Sequence, residues 1–94
     1  MILISARARG EIERAAQWWV EHREKAPEAF EEDLAKAFDL ITHAPHIGTL
    51  VPSRTRFLRR VLLPRVRYYL YDRDTAPGVE VLALWHASRL PPRL

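Results

Sequence analysis

Apolar positions along the chain fall into two long stripes of helical period, followed by three short, denser runs. The first stripe is Ala8, Ile12, Ala15, Ala16 and Trp19, spaced i, i+4, i+7, i+8 and i+11. That spacing is one face of a helix. The second stripe, Phe30, Leu34, Ala37, Phe38, Ile41 and Ala44, repeats it. The stripes predict helices near 6–25 and 28–44. Ser5 suits the N-cap of the first. Arg23 and Lys25 put positive charge at its C-terminal end, where the helix dipole favours it. Pro27 stops that helix and suits the opening turn of the next. Glu28, Glu31, Glu32 and Asp33 load the second helix's start with negative charge, and Pro45 and Gly48 end it.

Strands are expected near 2–4, 57–63, 65–73 and 79–86. Ile2-Leu3-Ile4 is a short apolar run, and residues 45–56 read as a loop. Pro64 marks a tight connection. Beyond it Val66, Tyr68 and Leu70 alternate with Arg67, Tyr69 and Tyr71. Alternation of period two sends these sets to opposite sheet faces. Tyr68 is therefore expected in the core, with Tyr69 and Tyr71 on the surface. Thr75-Ala76-Pro77-Gly78 reads as a turn, with Pro and Gly placed for type II geometry. The run VEVLALW (79–85) is apolar on both faces, as an interior strand is. The tail Arg89–Leu94 is Pro-rich and irregular. The order β-α-α-β-β-β predicts an α+β fold, one domain over 1–94, with a helical hairpin on one face of a small, mainly antiparallel, twisted sheet.

Length and composition narrow the chemistry. Ninety-four residues with 48% apolar content suffice for one small core. Without cysteine there is no disulfide, thiolate metal site or thiol nucleophile. No apolar run approaches the roughly 20 residues of a membrane span. The opening MILISARARGEIE has no charged stretch leading into an apolar one, so no signal peptide is expected and the expected location is the cytoplasm. Charge is uneven: residues 1–53 hold six Lys/Arg against nine Asp/Glu, and residues 54–94 hold nine against three. Thirteen of the fifteen basic residues are Arg, the better side chain for bidentate contact with phosphate or carboxylate.

Arg59, Arg60, Arg65 and Arg67 are thus candidates to hold an anion, with Tyr69 and Tyr71 beside them. Arg59 and Arg60 must point to opposite faces. Trp18 and Trp19 cannot both lie on one buried stripe. Trp19 fits the stripe and Trp18 is left for its edge or for a partner's groove. His86 closes the last strand and titrates near neutral pH, as a general acid or base would. His43 and His46 flank Pro45, but no second ligand pair joins them, so no metal is expected.

Taken in order, these residues resemble the RelE/ParE superfamily of toxins from type II toxin–antitoxin systems, over nearly the whole chain. The matching pieces are a short strand followed by Ser5 and Ala8, with Glu11-Ile12 after them, and Trp18-Trp19 late in the first helix. Pro45 and Gly48 follow the second helix. Arg59-Arg60-Val61 and Arg65-Val66-Arg67-Tyr68 come next, and His86 with Arg89 closes the series. The ending VLALWHASRLPP is similar to the ParE branch. The mRNA-cleaving RelE branch uses a basic cluster with a Tyr or His near the C-terminus. Here no tyrosine follows the last strand, and the two lysines, Lys25 and Lys36, lie in the helical half.

The resemblance implies a growth-arresting toxin bound and neutralised by a cognate antitoxin, whose extended and helical C-terminal segment wraps the hairpin and sheet. Trp18 and Phe30 are expected to meet it. For a ParE-like toxin the implied target is DNA gyrase, bound without chemistry, with Arg59, Arg60, Arg67, Tyr69 and Tyr71 as expected contacts. The alternatives are a RelE-like ribosome-dependent mRNA endoribonuclease and an inactive relative that only binds its antitoxin. In the ribonuclease, Arg65 would stabilise charge, His86 transfer the proton and Arg89 position phosphate. No cofactor is expected in any of these.

Overall fold

The computed structural model describes residues 1–24, 26–53, 57–76 and 78–94. Its elements are β1 (Ile2–Ile4), α1 (Ala6–His22), α2 (Ala29–His43), β2 (Thr49–Val51), β3 (Leu58–Leu63), β4 (Tyr68–Thr75) and β5 (Gly78–His86). The strands form one sheet in the order β1-β5-β4-β3-β2. Among the described residues, only β1 and β5 pair in parallel. Both helices cover the same face. Ala8, Ala15, Trp19, Phe30, Ala37 and Ile41 pack there with Leu63, Val66, Leu70, Val79, Val81 and Leu84.

The helices follow the predicted stripes. Ser5 caps α1, its Oγ accepting the Ala8 N–H at 3.0 Å. α1 ends at His22, before the expected 25. Glu21–Glu24 are all exposed, so a further turn would bury nothing. Instead the Trp19 indole N–H donates to the Ala26 carbonyl at 2.7 Å and ties back the connection. Lys25 lies outside the described residues. In α2, Glu31 and Glu32 hold the first turn, and Glu28 makes no side-chain cap.

Three expectations for the sheet need correction. Residues 49–51 form an edge strand, not a loop. With three residues and little burial, this strand carries no periodicity to read. β4 begins at Tyr68 because residues 64–67 make the hairpin turn, with Arg67 in the left-handed region at φ 64°. Gly78 is not a positive-φ turn residue. It pairs with Thr75 inside the sheet, while Pro77 lies outside the described residues.

Gly78 is needed for space. A Cβ there would collide with the Met1 carbonyl oxygen, which accepts the Val79 N–H at 3.0 Å. Met1 is largely exposed and able to move aside. Gly78→Ala is therefore expected to cost one backbone hydrogen bond, about 1 kcal/mol, and to speed amide exchange at Val79 before any other core amide. Unchanged protection at Val79 would refute this account.

Part of the sheet's other face is also covered, and this overturns the surface placement of Tyr71. Tyr71 is 2% exposed, and Leu58, Leu82 and Ala83 are buried apart from the helix-side core. The C-terminal tail crosses this face. The Trp85 indole N–H donates to the Leu90 carbonyl at 2.6 Å, and an Arg7 Nη1–H donates to the Arg93 carbonyl at 2.9 Å. Pro91, Pro92, Arg93 and Leu94 stand over Leu58 and Tyr71 across a cavity of about 690 Å³. Parity assigned Tyr71 its face correctly. The cover on that face comes from a segment with no periodicity at all.

Candidate functional site

A groove of about 800 Å³ opens where the C-terminal half of α1 meets the β3–β4 turn and the end of β5. Arg14, Trp18 and Arg23 line its helical wall, and Arg65 and Arg67 reach it from the turn. His86, Ser88 and Arg89 close the third side. Among the described residues, five guanidiniums thus face a single carboxylate, Glu11. That carboxylate is occupied: its Oε1 accepts the Leu84 N–H at 3.0 Å and its Oε2 lies 3.3 Å from Arg7 Nε. The groove is electropositive and suits an anion with some apolar surface.

The turn that presents Arg65 and Arg67 is held by a residue from another element. Asp33, on α2 and 2% exposed, accepts the backbone N–H groups of Arg65 at 2.8 Å and Val66 at 3.2 Å on one oxygen, Oδ2. The Arg67 N–H donates to the Leu63 carbonyl, and the Ala87 N–H to the Arg67 carbonyl, both at 2.8 Å. Asp33 is therefore a buried cap for the hairpin, not a first-turn charge complementing the dipole. The sequence carries a signal for this. Ala29, Asp33, Ala37 and Ile41 form one i+4 row, so the acid sits inside the apolar stripe.

Arg65, His86 and Arg89, far apart in sequence, do line the one groove, and each has a neighbouring partner. His86 Nδ1 accepts the Ser88 backbone N–H at 3.1 Å and lies 2.6 Å from Ser88 Oγ. Accepting at Nδ1 assigns the imidazole proton to Nε2. The Arg65 guanidinium is 3.5 Å from Glu32, and that of Arg89 lies over the Trp85 ring at 3.7 Å. Tyr68 packs edge-on against both Phe30 and His86, and burial pushes its hydroxyl pKa up.

The remaining predicted contacts do not share this groove, apart from Arg67 and Trp18. Arg59 lies at the far end of the helix-side face, 3.8 Å from Asp74, which also meets His46 at 2.6 Å. His43 bonds to the Asp39 carbonyl within its own helix. Beside Arg59 in the register is Asp72, 1% exposed, with Oδ1 unpaired among the described residues. Arg60 is on the opposite face, as alternation requires, with its guanidinium 4.0 Å over Tyr69. Trp18 is 40% exposed at the groove's edge, stacked on His22 at 4.6 Å with Arg23 above it. Phe30 is 1% exposed beneath α2 and so is unavailable to a partner. It leads the apolar stripe of α2 and belongs to the core.

Comparison with known proteins agrees with this architecture. The family described as ParE toxin of type II toxin–antitoxin system, parDE, matches residues 2–91. A solved structure titled "Chromosomal ParDE TA system from P. aeruginosa" superposes with a TM-score of 0.73 at 17% identity, covering 93% of this chain and 95% of that one. At that identity the likeness is one of fold. Among curated proteins, none matches the sequence. With a family match that runs from β1 into the tail, and the fold to go with it, the chain belongs to the ParE toxin family of type II toxin–antitoxin systems.

Proposed function

We propose that the chain arrests growth by binding and poisoning DNA gyrase in the cytoplasm, and that a cognate antitoxin neutralises it through the arginine-lined groove and Trp18. The observation that carries binding over cleavage is the state of two of the three side chains a ribonuclease would use. His86 is tied to Ser88 and Arg65 to Glu32. A general base needs a lone pair free to take a proton, and guanidiniums stabilising a phosphorane must face it. Among the described residues, no helix is long and apolar enough to cross a membrane.

The competing reading, ribosome-dependent mRNA cleavage, draws on one fact: the fold gathers Arg65, His86 and Arg89 in the same groove. Purified toxin added to gyrase and DNA, and separately to ribosomes carrying mRNA, distinguishes the two. Trapped gyrase–DNA breaks with intact mRNA are expected, undiminished in His86→Gln and suppressed by the purified antitoxin. Ribosome-dependent cleavage that falls roughly 10²–10⁴-fold in His86→Gln would overturn the proposal, because that is the usual loss on removing a general acid or base. A chain that binds antitoxin and produces neither effect would be an inactive relative.

A further inference from the structure

The sheet face turned away from the helices carries a second basic and aromatic surface. Pairing places Leu62, Tyr69 and Trp85 side by side on β3, β4 and β5, all half-buried. Neighbouring strands are about 4.8 Å apart, so the row spans about 10 Å. Arg60 sits over one ring of this row and Arg89 over another, 4.0 Å from Tyr69 and 3.7 Å from Trp85. Both distances lie well inside the ~6 Å reach of a cation–π contact.

Neither guanidinium has a carboxylate within ion-pair distance among the described residues, whereas Arg59, Arg65 and Arg73 each have one. A guanidinium held over a ring keeps its in-plane N–H donors. Part of its rotamer freedom is already lost, so little remains to lose on binding. Such donors call for carboxylates or phosphates. Three features favour carboxylates on a protein. The guanidiniums already cover the ring faces on which a base would stack. Leu62 in the row, and Leu90 beside Trp85 at 87% exposure, offer apolar contact that a phosphate backbone does not use. Arg, Tyr and Trp are also the side chains that dominate protein–protein hot spots.

We infer that this face docks an acidic protein surface, that of the toxin's target, with Arg60 and Arg89 as its paired anchors. The inference rests on the proposed function in taking the target to be a protein that is bound and not cut. Arg89 stands at a rim shared with the groove, and Arg60 does not, so Arg60 isolates this face.

The experiment compares the full-length wild-type chain with Arg60→Glu and Arg60→Lys. It measures growth arrest without antitoxin, affinity for purified antitoxin, affinity for purified gyrase and for a 30-base-pair duplex (a length of about three turns), and melting temperature. Arg60→Glu is expected to abolish arrest and weaken gyrase binding roughly thirtyfold or more, with antitoxin affinity and melting temperature kept. Arg60→Lys, which retains charge but not the planar fork, should fall between. If Arg60→Glu does not fold, Arg60→Gln is read in the same way. A folded variant that arrests growth and binds gyrase like wild type overturns the inference. Duplex binding that depends on Arg60 overturns the protein partner. If wild type arrests growth without binding gyrase, and Arg60→Glu abolishes that arrest, the docking face stands and the gyrase reading falls. A wild-type chain that never arrests growth overturns both.

Discussion

Replacing Asp33 by alanine is expected to destabilise the protein by about 3 kcal/mol and to disorganise the groove with it. The carboxylate is buried and holds two backbone N–H groups of a turn 32 residues away in sequence. Bonds to a charged acceptor contribute about 1.5–3 kcal/mol each, and a buried N–H left without a partner costs about 1–3 kcal/mol. The two donors share one oxygen, so the effects do not simply add. For a 94-residue domain, each kcal/mol moves the melting temperature by roughly 4–8 °C, giving a fall of roughly 12–24 °C. Asp33→Asn retains an acceptor oxygen and should lose less than half as much. The turn also presents Arg65 and Arg67, so Asp33→Ala should weaken antitoxin binding even below its melting temperature. Equal melting temperatures for Asp33→Ala and wild type would refute the capping role.

Asp72→Asn is expected to stabilise the protein at neutral pH. Asp72 is fully buried on the helix-side face, with Oδ1 unpaired among the described residues. Burial pushes its pKa from 3.8 up to about 6, Arg59 and His46 oppose that rise, and Asp74 adds to it. Between these values the folded chain holds a proton that the unfolded chain has released. Stability from this group is therefore complete below about pH 3.8 and is lost as pH rises through 6. At about 1.4 kcal/mol per pH unit the loss approaches about 3 kcal/mol at pH 7.5. Asn cannot ionise, so Asp72→Asn should melt higher than wild type at pH 7.5, by up to roughly 12–24 °C. The difference should shrink toward zero near pH 4. Melting curves separated by the same interval at both pH values would refute the assignment. Taking the difference from wild type removes the pH dependence that the two chains share.

Apolar spacing, apolar runs and residue type determined most of the fold: both helices, the Ser5 cap, and four of the five strands to within a few residues. These elements bury one stripe or one alternate set of residues, and that requirement is written in spacing. Alternation likewise sent Arg59 and Arg60 to opposite faces and Tyr68 to the core. The groove was half legible. Arg65, His86 and Arg89 were singled out from the sequence, and the fold does bring them to one place.

Tertiary structure alone decided what those residues are doing there. Ser88, Glu32 and Trp85 engage them, and each reaches its partner through the local turn or across elements, without a period to mark it. Tyr71 changes from contact to core because an aperiodic tail lies over it. Gly78 matters because Met1 comes close from the other end of the chain. Asp33 looked like one more acid in a charged first turn until α2 docked and placed it under the β3–β4 hairpin. Spacing encodes which face a side chain is on. What occupies that face is set by packing between segments distant in sequence, and one-dimensional spacing does not encode that.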